Sequence, residues 1–259
     1  MTETRPTVRQ RAAYRWWKVR ERFPITVVEG PGAGLHMSLR HASANYRLGT
    51  NELPVQEAIV STLRSGDVFY DVGSNVGFFS LIAARVVGER GAVHAFEPVA
   101  EIADQIRQNA RRNHLANISV HVVAVSDVDG HLQLRRDPHP GGATTAPADS
   151  LDDGPDMITA LTLDTFAASS DRPPDVVKID VEGLETEVIT GMQHLLEAAR
   201  PIVVFEIDDA TTDGLERKVA AARRPLEVHG YNVEALPPAY EHIQWHVRHF
   251  VARPAASRA

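Results

Sequence analysis

Gly66-Asp67-Val68-Phe69-Tyr70-Asp71-Val72-Gly73-Ser74-Asn75-Val76-Gly77-Phe78-Phe79-Ser80 is the stretch on which the fold turns. Val68 to Val72 is a short apolar run of the kind that forms a buried parallel strand. Gly73 to Gly77 is a turn with glycine at both ends. From Phe78 onward, Phe79, Leu81, Ile82, Ala83 and Val86 recur at helical spacing until Gly88. Strand, glycine turn and helix make the first half of a nucleotide-type crossover unit. Gly73 lets the chain leave the strand sharply, and Gly77 lets the helix begin close to whatever occupies the turn. Asp71 precedes the turn, at the carboxyl end of the strand.

A dinucleotide site needs G-x-G-x-x-G, so that backbone amides approach a pyrophosphate. Here the spacing is Asp71-x-Gly73-x-x-x-Gly77, with Asn75 where a middle glycine belongs. An acid at the turn suits a cationic ligand. S-adenosylmethionine carries an ammonium and a sulfonium and no phosphate. The competing reading is a structural glycine turn in another doubly wound protein.

The 259 residues suit one large domain, or a domain with an extension. With 43% hydrophobic and 24% charged residues, the chain can bury a full core. A net charge of −7 argues against non-specific attraction to a phosphate backbone, so no nucleic-acid partner is expected. The absence of cysteine excludes disulfides, thiolate metal sites and a thiol nucleophile. No run has the length of a membrane span and the start lacks a signal-peptide core, so the expectation is a soluble, cytoplasmic protein without stable membrane insertion.

Residues 1–23 interleave Arg5, Arg9, Arg11, Arg15, Lys18, Arg20 and Arg22 with Tyr14, Trp16, Trp17, Val19 and Phe23. This reads as a basic helix. It either contacts a membrane surface or nucleic acid, or packs its tryptophans on the domain or on a second subunit of a homodimer; the second reading is preferred. Pro24 to Leu39 reads as short strands around a Gly30–Gly34 turn. The chain divides into an extension, 1–45, and a main domain, 46–259. A helix is expected after Glu52-Leu53-Pro54, from Val55, Ile59, Val60 and Leu63.

Ala92 to Phe96 reads as a second strand ending in Glu97-Pro98. Glu97 lies about twenty residues beyond Gly77, where an acid commonly grips ribose hydroxyls; its other reading is a cap for a helix over Val99 to Ala110. Ile118 to Val125 reads as a third strand ending in Ser126-Asp127. Asp127 either accepts a hydrogen bond from an adenine amino group or belongs to an Asp127-Val128-Asp129-Gly130 hairpin turn, with His131 to Arg135 returning. Residues 137–156 read as a long loop. Val176 to Asp180 is a fourth strand, followed by Val181-Glu182-Gly183 and a helix through Leu196. Pro201 to Phe205 is a fifth, ending in Glu206. Asp180, Glu182 and Glu206 then share the carboxyl edge of neighbouring strands, where open α/β sheets place ligands. Leu215 to Ala222 reads as a helix, and Leu226 to Ala235 and Ile243 to Val251 as strands. The alternation of the last strand argues against a metal site of His242, His246 and His249, and makes His249 a satisfied core histidine.

FYDVGSNVGFFS, Glu97-Pro98, Val125-Ser126-Asp127, Thr162-Leu163-Asp164 and Lys178-Ile179-Asp180-Val181-Glu182-Gly183-Leu184-Glu185 together resemble the FkbM family of methyltransferases. The resemblance covers roughly residues 50–210 and is most specific in DVEGLE. It implies a class I methyltransferase, Rossmann-like, doubly wound seven-stranded sheet with the last strand antiparallel. It implies O-methylation of a sugar or natural-product hydroxyl. It also makes Glu52 an acidic position of the family. Asp71, Gly73, Ser74, Asn75, Gly77, Phe78, Glu97, Ser126, Asp127 and Asp180 are expected to hold S-adenosylmethionine, and Glu52 and Glu206 to contact a small-molecule acceptor. Asp180 or Glu182 is expected to act as base; the alternative is a divalent metal held by Asp180, Glu182 and Glu206. Methyl transfer to nitrogen of a small metabolite is a further alternative. A nicotinamide dehydrogenase lacks its glycine spacing here. A nucleic-acid base methyltransferase lacks its Asn/Asp-Pro-Pro-aromatic motif after strand four. A non-catalytic scaffold is expected to have lost the acids.

Overall fold

A computed structural model describes residues 24–38, 45–136, 143–147, 157–240 and 245–255. The basic aromatic stretch 1–23 and His242 lie outside the described residues. In chain order the elements begin with a hairpin, β1 (Ile25–Thr26) and β2 (His36–Met37), then helices α1 (Asn45–Leu48) and α2 (Leu53–Thr62). Next come β3 (Val68–Val72), α3 (Phe78–Val87), β4 (Ala92–Phe96), α4 (Ala100–Arg112) and β5 (Ile118–His121). An inserted block follows, β6 (Ala124–Val125), β7 (Gly130–Arg136), β8 (Ala143–Pro147) and β9 (Met157–Leu161). The chain resumes with α5 (Leu163–Ala168), β10 (Val176–Ile179), α6 (Glu185–Thr190), α7 (Gln193–Ala198) and β11 (Ile202–Asp209). It ends in α8 (Thr212–Val228), β12 (Tyr231–Ala235) and β13 (His246–Pro254).

Seven strands form one sheet in the order β12-β13-β11-β10-β3-β4-β5. β13 runs antiparallel to both its neighbours, and the pairs from β11 to β5 are parallel. This is the Rossmann-like, doubly wound sheet with an antiparallel last strand that the sequence implied. Side chains alternate between its faces. Val68, Tyr70, Val72, Val177, Ile179, Val203 and Phe205 pack with α6, α7 and α8. Phe69, Val176, Val204 and Val251 pack on the other face with α2 and α3. The β1–β2 hairpin joins that second core through Val27, Leu35 and Met37. It is tied to α4 by Asn109 Oδ1 and Asn113 Oδ1, which accept from the amides of Ser38 and His36. No helix among the described residues is long and apolar enough to cross a membrane.

Several boundaries differ from expectation. The third strand stops at His121, and Ala124–Val125 pairs instead with β9 in a separate four-stranded sheet, β6-β9-β7-β8. β7 therefore does not fold back on β6, because β9 lies between them. β8 stands within the expected loop 137–156. The helix expected through Leu196 is broken at Gly191, where a Cβ would lie 2.1 Å from the Ser126 carbonyl oxygen. β11 continues to Asp209, so Glu206 sits inside the strand. α8 continues through Pro225 to Val228, because burial of Ala222 and Leu226 outweighs the local signal, and the next strand starts only at Tyr231.

Candidate active site

The turn after β3 is shaped by close packing. Gly73 has φ 77°, and a Cβ there would lie 1.7 Å from the Asp180 carbonyl oxygen. The two strand ends therefore meet backbone to backbone. Gly77, φ 83°, caps α3 and abuts Ile106. Between them Asn75 adopts φ 47° without being glycine, a conformation that persists only where the surroundings impose it. Ser74 Oγ donates to the Asp71 carbonyl at 2.6 Å, and the amides of Gly73 and Ser74 both donate to the Phe96 carbonyl. The turn is thus anchored to the ends of β3 and β4.

This turn opens into a cleft at the carboxyl ends of β3, β4 and β10. Gly73, Ser74, Asn75, Phe78, Glu97, Asp180 and Glu182 line it, as do Tyr46, Lys178 and the apolar Phe96, Val123, Val125 and Leu184. Glu97 faces the cleft and also braces its rim. Its Oε2 accepts from the Asn75 amide at 3.0 Å and its Oε1 from the Val99 amide at 2.9 Å. The helix-start reading of Glu97 is met by the Val99 amide, and the same side chain lines the cleft. Burial raises its pKa to about 7, against the pull of those two amides. Asn75 Oδ1 is buried with no hydrogen-bond partner, so a ligand donor would relieve a desolvated acceptor.

Other named residues lie elsewhere. Asp71 is fully buried and does not reach the cleft. Strand alternation turns it onto the α3 face, where Ser80 Oγ donates to its Oδ2 at 2.5 Å and Lys178 Nζ stands 3.8 Å from Oδ1. Burial pushes its carboxyl pKa up, opposed mainly by Lys178. Ser126 and Asp127 are not in the cleft wall, because the chain leaves the sheet after His121 and presents Val123 to Val125 instead. Ser126 Oγ donates to Asp127 Oδ1 at 3.1 Å. Glu182 is exposed at the rim, with φ 56°.

Glu206 and Glu52 stand outside the cleft wall too, in a polar cluster beside it. Parity explains the cluster. Asp71, Lys178, Asp180, Glu206 and His249 all fall on the α2–α3 face of the sheet, with Lys178 in register with Asp71 and His249 with Glu206. Lys178 Nζ donates to Asp180 Oδ2 at 3.0 Å. Burial works against its charge, yet Asp180, Asp71 and Glu52 outweigh it and hold its pKa well above the usual lysine range. His249 is buried, and its Nε2 lies 2.5 Å from Glu206 Oε2 and 3.7 Å from Glu52 Oε2. Burial, then Asp180, raises the pKa of Glu206; His249 leads the groups that hold Glu52 down against its own burial.

Among the described residues, the group able to hold a metal is Glu52, Glu206 and His249, whose ligand-type atoms lie within 4.8 Å of one another. The set Asp180, Glu182 and Glu206 does not assemble, since Asp180 is committed to Lys178 and Glu182 faces solvent. His246 is exposed, so the histidines of β13 do not cluster either. His249 is buried as expected, but among acids rather than in an apolar core. The periodicity of β13 contained that signal; the pairing with Glu206 needed the register.

The domain described as "Methyltransferase FkbM domain" matches residues 71–233. A hexuronic acid methyltransferase, AglP, of Haloferax volcanii is 29% identical over 154 residues, covering 59% of this chain and 61% of that protein. The 31-O-demethyl-FK506 methyltransferase FkbM of Streptomyces tacrolimicus is 31% identical over 203 residues, covering 67% and 75%. The crystal structure of methyltransferase FkbM from Methylobacillus flagellatus superposes with a TM-score of 0.53 at 15% identity, over 73% of this chain and 44% of that one. The chain thus spans less than two thirds of two of these three proteins. The matched domain covers the glycine turn, Glu97 and Asp180 alike, and the chain belongs to the FkbM family of methyltransferases.

Proposed function

We propose that this protein is an S-adenosylmethionine-dependent O-methyltransferase acting on a hydroxyl of a sugar-type or natural-product-type small molecule. The observation that carries the reading is the shared cleft. The glycine turn, the buried Glu97 and Asn75 line the same space as Asp180. The printed names of the relatives, a hexuronic acid enzyme and a 31-O-demethyl-FK506 enzyme, support the acceptor class.

Bound there, S-adenosylmethionine supplies an activated methyl group. Glu97 keeps an acceptor site on each oxygen beyond its amide bonds and can take both hydroxyls of a ribose. Phe96, Val123, Val125 and Leu184 offer an apolar wall for a base. Asp71 acts from beneath, by fixing Lys178 and the first turns of α3. The chain must hold the acceptor oxygen in line with the methyl carbon and keep water out, and positioning supplies much of the rate. Asp180, part-exposed in the cleft and oriented by Lys178, accepts the hydroxyl proton. A base of this kind is worth about 10²–10⁴ in rate.

Asp180→Asn is expected to lower kcat by about 10²-fold or more with donor affinity largely kept, while Glu182→Gln stays near the parent rate. An Asp180→Asn enzyme at full rate removes the base assignment. Calorimetry with S-adenosylhomocysteine tests the whole reading, and no binding there, with binding of NADH instead, overturns it. The affinity should also depend on pH. Only ionised Glu97 accepts two ribose hydrogen bonds, and its pKa in the free protein is about 7. Binding is therefore full above that pH and weakens as pH falls, by about tenfold per unit. Glu97→Gln should bind weakly with a flat profile; a wild-type profile unchanged between pH 8 and 5.5 contradicts the role given to Glu97.

A further inference from the structure

We propose that Glu52, Glu206 and His249 form a binding site for one divalent transition-metal ion beside the cleft. The first reason is geometric. His249 Nε2 approaches Glu206 Oε2 to 2.5 Å and Glu52 Oε2 to 3.7 Å, yet Nε2 makes no hydrogen bond. An ion about 2.0–2.2 Å from each ligand needs ligand pairs about 3–3.5 Å apart, and the two distances bracket that value.

The second reason is the orphaned oxygen. Glu52 is 6% exposed, and its Oε2 has no hydrogen-bond partner. Its other oxygen is held by Asn51 Nδ2 and Tyr240 Oη, both donating at 2.9 Å. One oxygen tethered and one free is the arrangement of a ligating carboxylate with outer-shell support. Glu52 also sits in a left-handed conformation, φ 47°, at the N-cap of α2, and makes no capping hydrogen bond. The strain aims the side chain at the cluster and not at its own helix.

The third reason is charge. Four carboxyl groups, Asp71, Asp180, Glu52 and Glu206, face one lysine and one imidazole, so acids outnumber bases in the cluster. Two carboxylates and one imidazole favour the manganese-to-zinc group over magnesium or calcium, which prefer all-oxygen shells. The Glu206 side chain keeps 19% exposure, which leaves a route for the ion and for water. Use of the ion to orient the acceptor hydroxyl rests on the proposed methyl transfer; binding of the ion does not.

The test is a Mn²⁺ titration of chelator-stripped protein, followed by the electron paramagnetic resonance signal of the free aqua ion. One Mn²⁺ per chain is expected, displaced by one equivalent of Zn²⁺. Glu206→Gln and His249→Gln should each weaken binding at least about 100-fold, and Tyr240→Phe, which leaves every ligand in place, about tenfold. Far-ultraviolet circular dichroism reports whether each variant is folded, and S-adenosylhomocysteine calorimetry on the same samples separates the two readings; folded wild type that binds neither Mn²⁺ nor Zn²⁺ overturns the metal site whatever the donor does. Donor binding without Mn²⁺ or Zn²⁺ binding in the wild type overturns the metal site and leaves the methyl-donor reading standing. Metal binding undiminished in all three variants overturns it as well. If both ligand variants fail to fold, the wild-type stoichiometry and Tyr240→Phe decide.

Discussion

Lys178→Met is expected to destabilise the protein by about 3–5 kcal/mol, the usual cost of removing one partner from a buried ion pair. The ammonium lies 3.0 Å from Asp180 and 3.8 Å from Asp71, and Asp71 is wholly buried. Without it Asp71 retains the hydroxyl and the amide of Ser80, and no countercharge among the described residues in contact with it. Its carboxyl pKa, already raised by burial and opposed mainly by Lys178, then rises further. An acid with a raised folded-state pKa favours the folded state at low pH, and that contribution is lost as pH climbs from the unfolded value through the folded one. The variant should therefore be most deficient near pH 8 and recover part of the loss near pH 5. Asp71→Asn in the same chain should restore stability at pH 8, because no uncompensated charge remains. Thermal melts of the three proteins at both pH values check this. A deficit that is equal at pH 5 and pH 8 contradicts the account of the Lys178–Asp71 pair.

Gly73→Ala should be nearly as damaging, for a reason that involves no charge. The added methyl would overlap the Asp180 carbonyl at 1.7 Å, and φ 77° disfavours any side chain. The conformational part costs about 1 kcal/mol and the overlap a further 1–3 kcal/mol or more. The main chain at Asp180 can only move outward, which also moves the side chain assigned as base. Urea denaturation should show a loss of about 3 kcal/mol, with donor affinity lowered in step. Gly34→Ala is the control, since Gly34 has φ 81° with nothing within 4 Å of the added carbon. It should lose only the conformational part. Equal losses at the two positions would show that backbone strain, not the approach of β10, dominates at Gly73.

The central crossover was legible because its signals are local. Val68–Val72, Phe78–Val87 and Ala92–Phe96 are bounded by glycines and by abrupt changes of polarity, and the expected bounds matched. The side sheet was not legible. Ile118 to Val125 reads as one strand, and only the remote partner Met157–Leu161 explains why its end leaves the sheet. For the site, residue types at strand ends pointed to Glu97 and Asp180. Ser126 and Asp127, also named, lie outside the cleft wall, because the chain leaves the sheet after His121 and that break is invisible in the pattern. Asp71 was expected at the ligand, whereas parity alone, Phe69 inward and Asp71 with it, places it beneath α3. Glu52 and His249 lie far apart in sequence, and only the folded sheet brings them together.

The position of β13 between β11 and β12 has a consequence for synthesis on the ribosome. Neighbours in the sheet are normally added outward, but here the strand that fills the gap emerges last. Until residues 246–254 clear the exit tunnel, Ile202–Asp209 offers its outer row of amides and carbonyls to any passing strand. A chain in that state carries an open sheet edge, exposed to off-pathway pairing until β13 covers it.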